Sequence, residues 1–217
     1  MSRRASVTVV GLVLLVGAIA LTAFALGRVD LFMVGGRIPP VAHDAYLRAA
    51  QASGSITDAC DVEWVVLAGI GQVESRHGRL DGSHAISEQG VVTPPIRGRP
   101  LSGSAGTQTI PDTDGGELDG DATWDRAMGP LQFIPTTWTE LGRDGNGDGE
   151  ADPDNLYDAA LTAAAHLCLR EPGDYSVRAQ LRRALIAYNA SGEYADKVLE
   201  WIDRYESRAL DEVLEPG

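Results

Sequence analysis

The stretch DVEWVVLAGIGQVESRHG, residues 61–78, decides the fold class of this chain. It begins with Asp61, a typical N-cap residue, and ends with Gly78, a typical helix stop. Leu67, Ile70 and Glu74 follow at positions i, i+3 and i+7, so the three side chains share one inward-facing stripe. The stretch therefore predicts a helix that packs into a protein core.

Glu74 is the predicted catalytic residue. Its carboxyl group lies on the apolar stripe near the carboxyl end of the helix, where burial and the helix dipole both favour the protonated form. A carboxyl group that keeps its proton near neutral pH is suited to general acid catalysis. The alternative is a glutamate at the helix edge that faces water or pairs with Arg76 or Arg79.

The rest of the chain predicts further helices and no sustained set of strands. Helical periodicity covers residues 40–52, 135–141, 156–169, 177–188 and 194–213. Residues 79–126 are rich in Gly, Pro, Ser, Thr and Asp, which predicts a long irregular loop. We expect its part from Val92 to Asp119 to cover a cleft as a flap, and its acidic stretch, residues 112–121, to be solvated. The predicted fold class is mainly α.

The charge of the chain limits its ligands. The 217 residues include 18 Lys and Arg against 31 Asp and Glu, which gives a formal net charge of -13. This charge repels phosphate backbones, and no cluster of basic residues interrupts it. Nucleic acid is therefore excluded as the main ligand, whereas a neutral, cationic or polymeric partner fits.

The amino terminus predicts export. Arg3 and Arg4 precede an uncharged, apolar run from Ala5 to Gly27, close to the ~20 residues that cross a bilayer. We predict a signal anchor over residues 1–27. A cleaved signal peptide is the alternative, because residues 23–25, Ala-Phe-Ala, match a cleavage pattern.

The same run predicts the domain organisation and the compartment. Positive residues precede it and the acidic bulk follows it, so the positive-inside rule places the rest of the chain outside the cytoplasm. Residues 28–40 are predicted to form a linker, and residues 41–217 one folded domain. The N-terminal helix either anchors this domain to the membrane or directs its secretion.

Cys60 and Cys168 are the two cysteines of the chain. Outside the cytoplasm, two cysteines pair more often than they stay free. Neither residue has the neighbours of a nucleophilic cysteine or the CxxC spacing of a metal site. We therefore predict a disulfide that closes a loop of over one hundred residues.

Three short motifs carry a resemblance to a known family. They are GQVESRHG at residues 71–78, MGPLQFIPTTW at 128–138 and AYNAS at 187–191. In this order they resemble the lytic murein transglycosylases, in particular the membrane-bound lytic transglycosylase B-like branch of actinobacteria. The resemblance implies a lysozyme-like helical domain whose cleft binds peptidoglycan glycan strands, with no organic cofactor.

The resemblance also implies the roles of individual residues. Glu74 matches the single acid/base that cleaves the bond between N-acetylmuramic acid and N-acetylglucosamine and leaves 1,6-anhydromuramoyl ends. Ser75, Gln132, Tyr188 and Asn189 match residues that contact substrate or orient the glutamate. Two rings are candidates for stacking on a sugar, with core packing as the alternative for the first: Phe133 and Tyr194.

An acidic loop, DGNGDGEADPD at residues 144–154, predicts a calcium site. Oxygen-bearing side chains alternate and Gly149 occupies the sixth position, as in an EF-hand, but position twelve is Asn155 instead of a glutamate. The family resemblance implies a later closing acid, Asp158. The predicted calcium ligands are Asp144, Asn146, Asp148, Asp158 and the backbone carbonyl of Glu150. The alternative is a turn that caps the next helix without an ion.

Three other functions remain open at this point. A hydrolytic muramidase on the same fold would need a second carboxylate, for which Asp125 is available. A non-catalytic peptidoglycan-binding or scaffold protein would keep the cleft without turnover. An extracellular calcium-dependent adhesion module would bind a partner and release no soluble fragments from the cell wall.

Overall fold

The computed structural model describes residues 37–57 and 60–214. Its α-helices are α1 (Pro40–Ser53), α2 (Trp64–Ser75), α3 (Pro135–Leu141), α4 (Leu156–Arg170), α5 (Arg178–Tyr188) and α6 (Gly192–Leu214). Between α2 and α3 lie two short strands, β1 (Ala85–Ile86) and β2 (Val92–Thr93), and a 3-10 turn (Ser104–Gly106). The mainly α-helical fold class predicted from the sequence is confirmed.

The predicted signal anchor over residues 1–27, and most of the predicted linker, lie outside the described residues. Within residues 37–57 and 60–214, no helix combines the length and apolar character that crossing a bilayer requires. The anchor, the domain boundaries and the compartment therefore stay predictions.

Helix α4 forms the centre of the core. Its alanines at positions 159, 160, 163 and 164 are fully buried, and side chains of this size let neighbouring helices approach closely. Helix α1 packs extensively along α4, while α2, α3 and α5 each contact it as well. The Asn155 side chain caps α4 by accepting a hydrogen bond from the Tyr157 amide at 2.9 Å.

Helix α2 is shorter at both ends than the sequence predicts. It begins at Trp64, with Glu63 at the N-cap position instead of the predicted Asp61, and ends at Ser75. It ends there because Arg76 and His77 take the left-handed backbone conformation with φ of 53° and 61°. This conformation is unfavourable for residues with a Cβ atom. Tertiary contacts of the buried His77 side chain hold the chain in it, and local sequence patterns do not report such contacts.

Two helices meet closely at Gly69 of α2. A Cβ atom at this position would lie 2.9 Å from Ile202 Cγ1 and 3.1 Å from the carbonyl oxygen of Val198. Both neighbours belong to α6, so the absence of a side chain at Gly69 sets the distance between α2 and α6. This packing fixes the position of the helix that carries Glu74.

The predicted irregular loop between α2 and α3 is confirmed, and it is anchored at several points. Strands β1 and β2 pair antiparallel, with Ala85 opposite Thr93. The Arg97 guanidinium donates two hydrogen bonds to the Asp154 carboxylate, at 2.7 and 2.9 Å. This bidentate pair ties the middle of the loop to the start of α4.

Cys60 and Cys168 form the predicted disulfide. Their Cα atoms are 5.5 Å apart and 108 positions separate them in the sequence. The bridge joins the segment before α2 to the carboxyl-terminal part of α4. Everything between these points, including Glu74 and the long loop, lies inside the covalent ring.

Candidate active site

Glu74 lies in the last turn of α2, partly buried, where its carboxyl group faces a large cavity. Burial raises the pKa of this carboxyl group from 4.5 to about 7, and the nearby Tyr194 hydroxyl opposes part of the effect. The group therefore holds a proton at a pH at which an exposed glutamate has lost it. A proton donor at the wall of a cavity is what general acid catalysis requires.

Tyr188 and Tyr194 stand beside Glu74 as a parallel pair. Their ring centroids are 6.4 Å apart and the ring planes differ by 2°. The Tyr188 hydroxyl donates a hydrogen bond to the Leu131 carbonyl oxygen at 2.9 Å, which fixes the end of α5 to the loop before α3. Burial and the charge of Glu74 raise the pKa of both tyrosines, so both stay neutral hydroxyl groups.

Tyr194 does not act as the exposed sugar-stacking ring that the sequence predicts. Its side chain is 8% exposed, and its flat face packs against Tyr188 instead of open space. The hydroxyl is close enough to Glu74 to influence its pKa. It nevertheless completes no hydrogen bond of ordinary geometry with any residue in the described ranges. The structure thus places Tyr194 in the protein interior, close to the Glu74 carboxyl group.

Gln132 lies in the cavity wall in a strained conformation. Its φ of 54° is in the left-handed region, and its side-chain amide donates a hydrogen bond to the Gly129 carbonyl oxygen at 2.8 Å. The strain is held by the tight turn in which Met128 and Phe133 pair through both backbone hydrogen bonds. Strained residues of this kind concentrate at functional sites. Gln132 lines the same cavity as Glu74, and its role in binding substrate stays a prediction.

Ser75 contacts protein atoms only. Its hydroxyl is fully buried, donates to the Pro130 carbonyl oxygen at 2.6 Å and accepts from the Gly78 amide at 2.7 Å. The prediction that Ser75 binds substrate does not fit this burial. Its contacts instead orient the end of α2, which is the other role that the resemblance implied.

The cavity beside Glu74 has a volume of about 610 Å³. The predicted site residues Gln132, Tyr188 and Asn189 line it, and Asn189 is exposed at the end of α5. The structure therefore brings together four of the predicted residues. A second cavity of about 580 Å³ beside the disulfide contains none of them.

The predicted flap contributes one wall of the same cavity. Leu101, Gly106, Thr107, Gln108 and Ile110 all line it. The segment is a small hairpin, since the Ile110 amide donates to the Leu101 carbonyl oxygen at 2.7 Å. The position next to the cleft agrees with the prediction, whereas movement of the segment stays a prediction.

His166 is a cavity residue that the sequence analysis missed. It belongs to α4 and lines the cavity together with Glu74, and its ring meets the Tyr188 ring edge to face with centroids 4.9 Å apart. A single histidine in an alanine-rich helix carries no motif. Only the packing of α4 against α5 brings it to the cleft.

A buried polar cluster supports the end of α2 from the other side. The two nitrogens of His77 pair with the Tyr46 hydroxyl at 3.1 Å and the Tyr205 hydroxyl at 3.0 Å. Burial lowers the pKa of His77 to about 3, so its ring is neutral. The cluster joins α1, α2 and α6 directly beneath the turn that follows Glu74.

The predicted calcium loop is closed by backbone amides. One Asp158 carboxylate oxygen accepts from the Gly145 and Asn146 amides and the other from the Asp152 amide. The Asp144 carboxylate likewise accepts from two amides of the loop. Asp158 thus occupies the closing position implied by the resemblance, and the loop also satisfies its carboxylates in the manner of an ion-free turn.

Another acidic group forms where the sequence analysis expected only a solvated loop. Carboxylate oxygens of Asp112, Asp114 and Asp125 lie within 4.8 Å of one another. Asp125 is fully buried and accepts hydrogen bonds from the Thr113 amide and hydroxyl. It does not line the cavity, so it is not the second carboxylate that a hydrolytic muramidase would need.

The sequence of residues 110–173 matches the model of a family described as Transglycosylase SLT domain. The match covers Gln132, the calcium-like loop and His166, and ends before Tyr188. It supports the resemblance to lytic transglycosylases over these residues, and Glu74 lies before the matched segment. No curated protein shows a significant match to the whole sequence.

Solved structures that align with this chain do so at low sequence identity. The lytic transglycosylase Slt35 of Escherichia coli in complex with bulgecin A gives a TM-score of 0.47 at 14% identity, covering 82% of this chain and 76% of that chain. The same enzyme in complex with calcium gives 0.47 and 14%, covering 82% and 77%. SltB3 from Pseudomonas aeruginosa in complex with NAG-anhNAM-pentapeptide gives 0.43 and 18%, covering 82% and 66%.

Proposed function

We propose that this protein is a lytic transglycosylase that cleaves the bond between N-acetylmuramic acid and N-acetylglucosamine in peptidoglycan, with Glu74 as its single acid and base. One observation carries the proposal. Among the described residues that line the cavity, Glu74 alone bears a carboxyl group, and its pKa is raised to about 7. Most hydrolytic glycosidases use two carboxyl groups across the scissile bond. One group suffices when a hydroxyl of the substrate attacks instead of water.

The reaction needs Glu74 twice. Its protonated carboxyl group first donates the proton to the glycosidic oxygen as the bond from that oxygen to the muramoyl C1 breaks. The resulting carboxylate then accepts the proton of the muramoyl 6-hydroxyl as this oxygen bonds to C1. The products are a free N-acetylglucosamine hydroxyl and a 1,6-anhydromuramoyl end. Glu74 regains its proton and no water is consumed.

Three neighbouring side chains are assigned to the glycan in this proposal. Gln132 and Asn189 line the cavity with carboxamide groups, which suit the N-acetyl and hydroxyl groups of a sugar chain. Tyr188 keeps its hydroxyl on the protein and presents its ring to the cavity. The cavity is large enough to hold part of a glycan strand, and its polar lining is neutral apart from Glu74.

The test is digestion of purified peptidoglycan by the wild-type protein, by Glu74→Gln and by Glu88→Gln. Glu88 is an exposed loop residue outside the cavity, so its variant controls for the loss of a charge. We expect soluble fragments from the wild type and Glu88→Gln, each lighter by one water than a hydrolysis product, and none from Glu74→Gln. Mass spectrometry of the fragments decides between the reactions.

The alternatives give different products in the same experiment. A hydrolytic muramidase would leave reducing ends that carry heavy oxygen when the digestion is run in heavy-oxygen water. A binding or scaffold protein would retain peptidoglycan without releasing fragments, and Glu74→Gln would then change nothing.

We further propose that the loop from Asp144 to Asp158 binds calcium as a structural ion. Its donors are all oxygen atoms, as calcium prefers, and Asp158 already reaches back to the start of the loop. Calorimetric titration of calcium into the wild type and Asp144→Asn tests this, and we expect binding only to the wild type. Loss of binding in Asp114→Asn instead would contradict this location and move the ion to the other acidic group.

The compartment of the enzyme is proposed from the amino terminus and the disulfide. An oxidising space outside the cytoplasm suits both the bridge and a peptidoglycan substrate. Comparing the mass of the native protein with that of its precursor distinguishes a retained anchor from a cleaved signal peptide. A reduced, full-length protein in the cytosolic fraction would refute this localisation.

A further inference from the structure

His166 packs against two aromatic rings in the wall of the cavity. Its ring packs edge to face against Tyr188, with centroids 4.9 Å apart, and lies 6.5 Å from the centre of the Phe133 ring. The side chain is 8% exposed, and the ring reaches the cavity that contains Glu74. Since the ring packs on two sides and also lines the cavity, one of its edges is available to a molecule bound there.

One polar atom of this histidine, Nδ1, is not satisfied by the protein. Nδ1 of His166 is buried and has no hydrogen-bond partner among the described residues. The contrast with His77 is direct, because both nitrogens of that buried ring pair with tyrosine hydroxyls. A buried polar atom without a partner destabilises the folded protein. A histidine kept in place only for packing would be replaced at no loss by an apolar ring.

The charge state of His166 selects the kind of ligand. Burial, followed by the charge of Arg170, lowers the pKa of the ring to about 4, while Glu140 opposes the effect. Arg170 and Glu140 form an ion pair with each other, so neither leaves an uncompensated charge at the ring. A neutral imidazole offers one donor and one acceptor nitrogen. It therefore suits a hydroxyl or an amide better than a carboxylate.

We propose that His166 is a substrate-contact residue, which hydrogen-bonds a hydroxyl or N-acetyl amide group of a bound glycan through a ring nitrogen. A half-turn of the ring exchanges Nδ1 with a carbon without changing the outline of the ring, so either edge nitrogen can meet the ligand. The inference rests on the proposed function, since it assumes that a glycan occupies the cavity. It assigns to α4 a direct part in binding.

The first test compares His166→Phe with the wild type and with His43→Phe. Phenylalanine keeps a ring against Tyr188 and removes both nitrogens. His43 also packs edge to face on an aromatic ring, Trp64 at 4.8 Å, but lies outside the cavity. We expect His166→Phe to unfold at the same or a higher temperature than the wild type, because it deletes an unsatisfied buried atom.

The binding readout uses a soluble N-acetylglucosamine oligomer as the probe. Calorimetry should show Kd about tenfold higher for His166→Phe than for the wild type, which corresponds to one lost hydrogen bond of about 1.4 kcal/mol. His43→Phe should bind like the wild type. On peptidoglycan, the KM of His166→Phe should rise more than its kcat falls. An unchanged Kd and KM in a folded His166→Phe protein would overturn the proposal.

A second measurement needs no substitution. The chain has four histidines, so their ring nitrogens can be followed individually by NMR as the oligomer is added to the wild type. We expect the His166 signals to shift and those of the enclosed His77 to stay. Unshifted His166 signals in a saturated complex would refute the contact even if digestion of peptidoglycan is normal. A wild type that neither binds nor cuts glycan would overturn the proposed function and this inference together.

Discussion

The Glu74 carboxyl group keeps its proton because its position on α2 places it in the partly enclosed wall of the cavity. Its burial lowers the stability of the folded protein at neutral pH. Its pKa is about 7 in the folded protein and 4.5 for a free side chain. Between these values the native state binds more protons than the unfolded chain, so stability falls as the pH rises through this window and levels off above pH 7. The difference corresponds to about 3 kcal/mol.

Glu74→Gln should remove this penalty. Urea unfolding is expected to show similar stabilities of the two proteins at pH 4.5, and a variant that is more stable by about 3 kcal/mol at pH 8. The control Glu88→Gln, at an exposed position, should have the same stability as the wild type at both pH values. A constant difference between Glu74→Gln and the wild type across the whole range would contradict the raised pKa.

Tyr194 affects the pKa of the Glu74 carboxyl group. Its hydroxyl lowers the pKa of Glu74 against the effect of burial, so Tyr194→Phe should raise that pKa further. In the proposed reaction the acid-catalysed step depends on protonated Glu74, so kcat/KM should fall above pH 7 in the wild type. In Tyr194→Phe this fall should begin at a higher pH. An unmoved alkaline limb would show that the hydroxyl does not act on Glu74.

Tyr46 contributes to the stability of the fold through its buried hydroxyl group. Its hydroxyl is fully buried and pairs with His77, and Tyr46→Phe would leave one ring nitrogen without a partner. We expect the free energy of unfolding to fall by about 1–3 kcal/mol. Tyr157→Phe is the matched control, because that hydroxyl bonds the half-exposed Asp44 and its loss should cost less. Equal losses in the two variants would argue against a special role of the cluster.

At the scale of an element, the hairpin between Leu101 and Ile110 can be removed without touching the core. These two residues pair as the ends of a tight turn would, whereas Val92 and Ile96 earlier in the loop are almost fully buried. Replacing Ser102–Thr109 by Asn-Gly should therefore preserve the fold. It should lower turnover of peptidoglycan about tenfold, since one wall of the cavity is lost.

Circular dichroism and thermal unfolding serve as the controls for this shortened protein. Turnover equal to that of the wild type, in a protein that unfolds at the same temperature, would show that the hairpin does not contact the glycan. A faster enzyme would instead identify it as an obstruction at the mouth of the cleft.

Helical patterns in the sequence predict the helices well where their side chains face one core. They predict poorly the features that depend on contacts between residues distant in the sequence. The periodicity of α4 and α5 gives their positions almost to the residue. The end of α2 is missed because His77 is drawn into contacts with Tyr46 and Tyr205, which come from remote parts of the sequence. His166 and the grouping of Asp112 with Asp125 are missed for the same reason. Short motifs surround Glu74 and Gln132, so the sequence predicts both of them as site residues.

At the scale of the whole molecule, the disulfide determines how much of the chain is ordered together. It closes a segment of 108 positions that contains Glu74, the hairpin and His166, and α1, α5 and α6 lie outside the ring. In the chain-entropy account a loop of this length stabilises the folded state by about 4–5 kcal/mol. The double variant Cys60→Ser/Cys168→Ser should lose this amount in urea unfolding, and the reduced wild type should match it. Because the bridge acts mainly on the unfolded chain, the residual folded protein should keep the kcat of the oxidised enzyme. A normal stability with impaired turnover would mean that the bridge instead shapes the cleft.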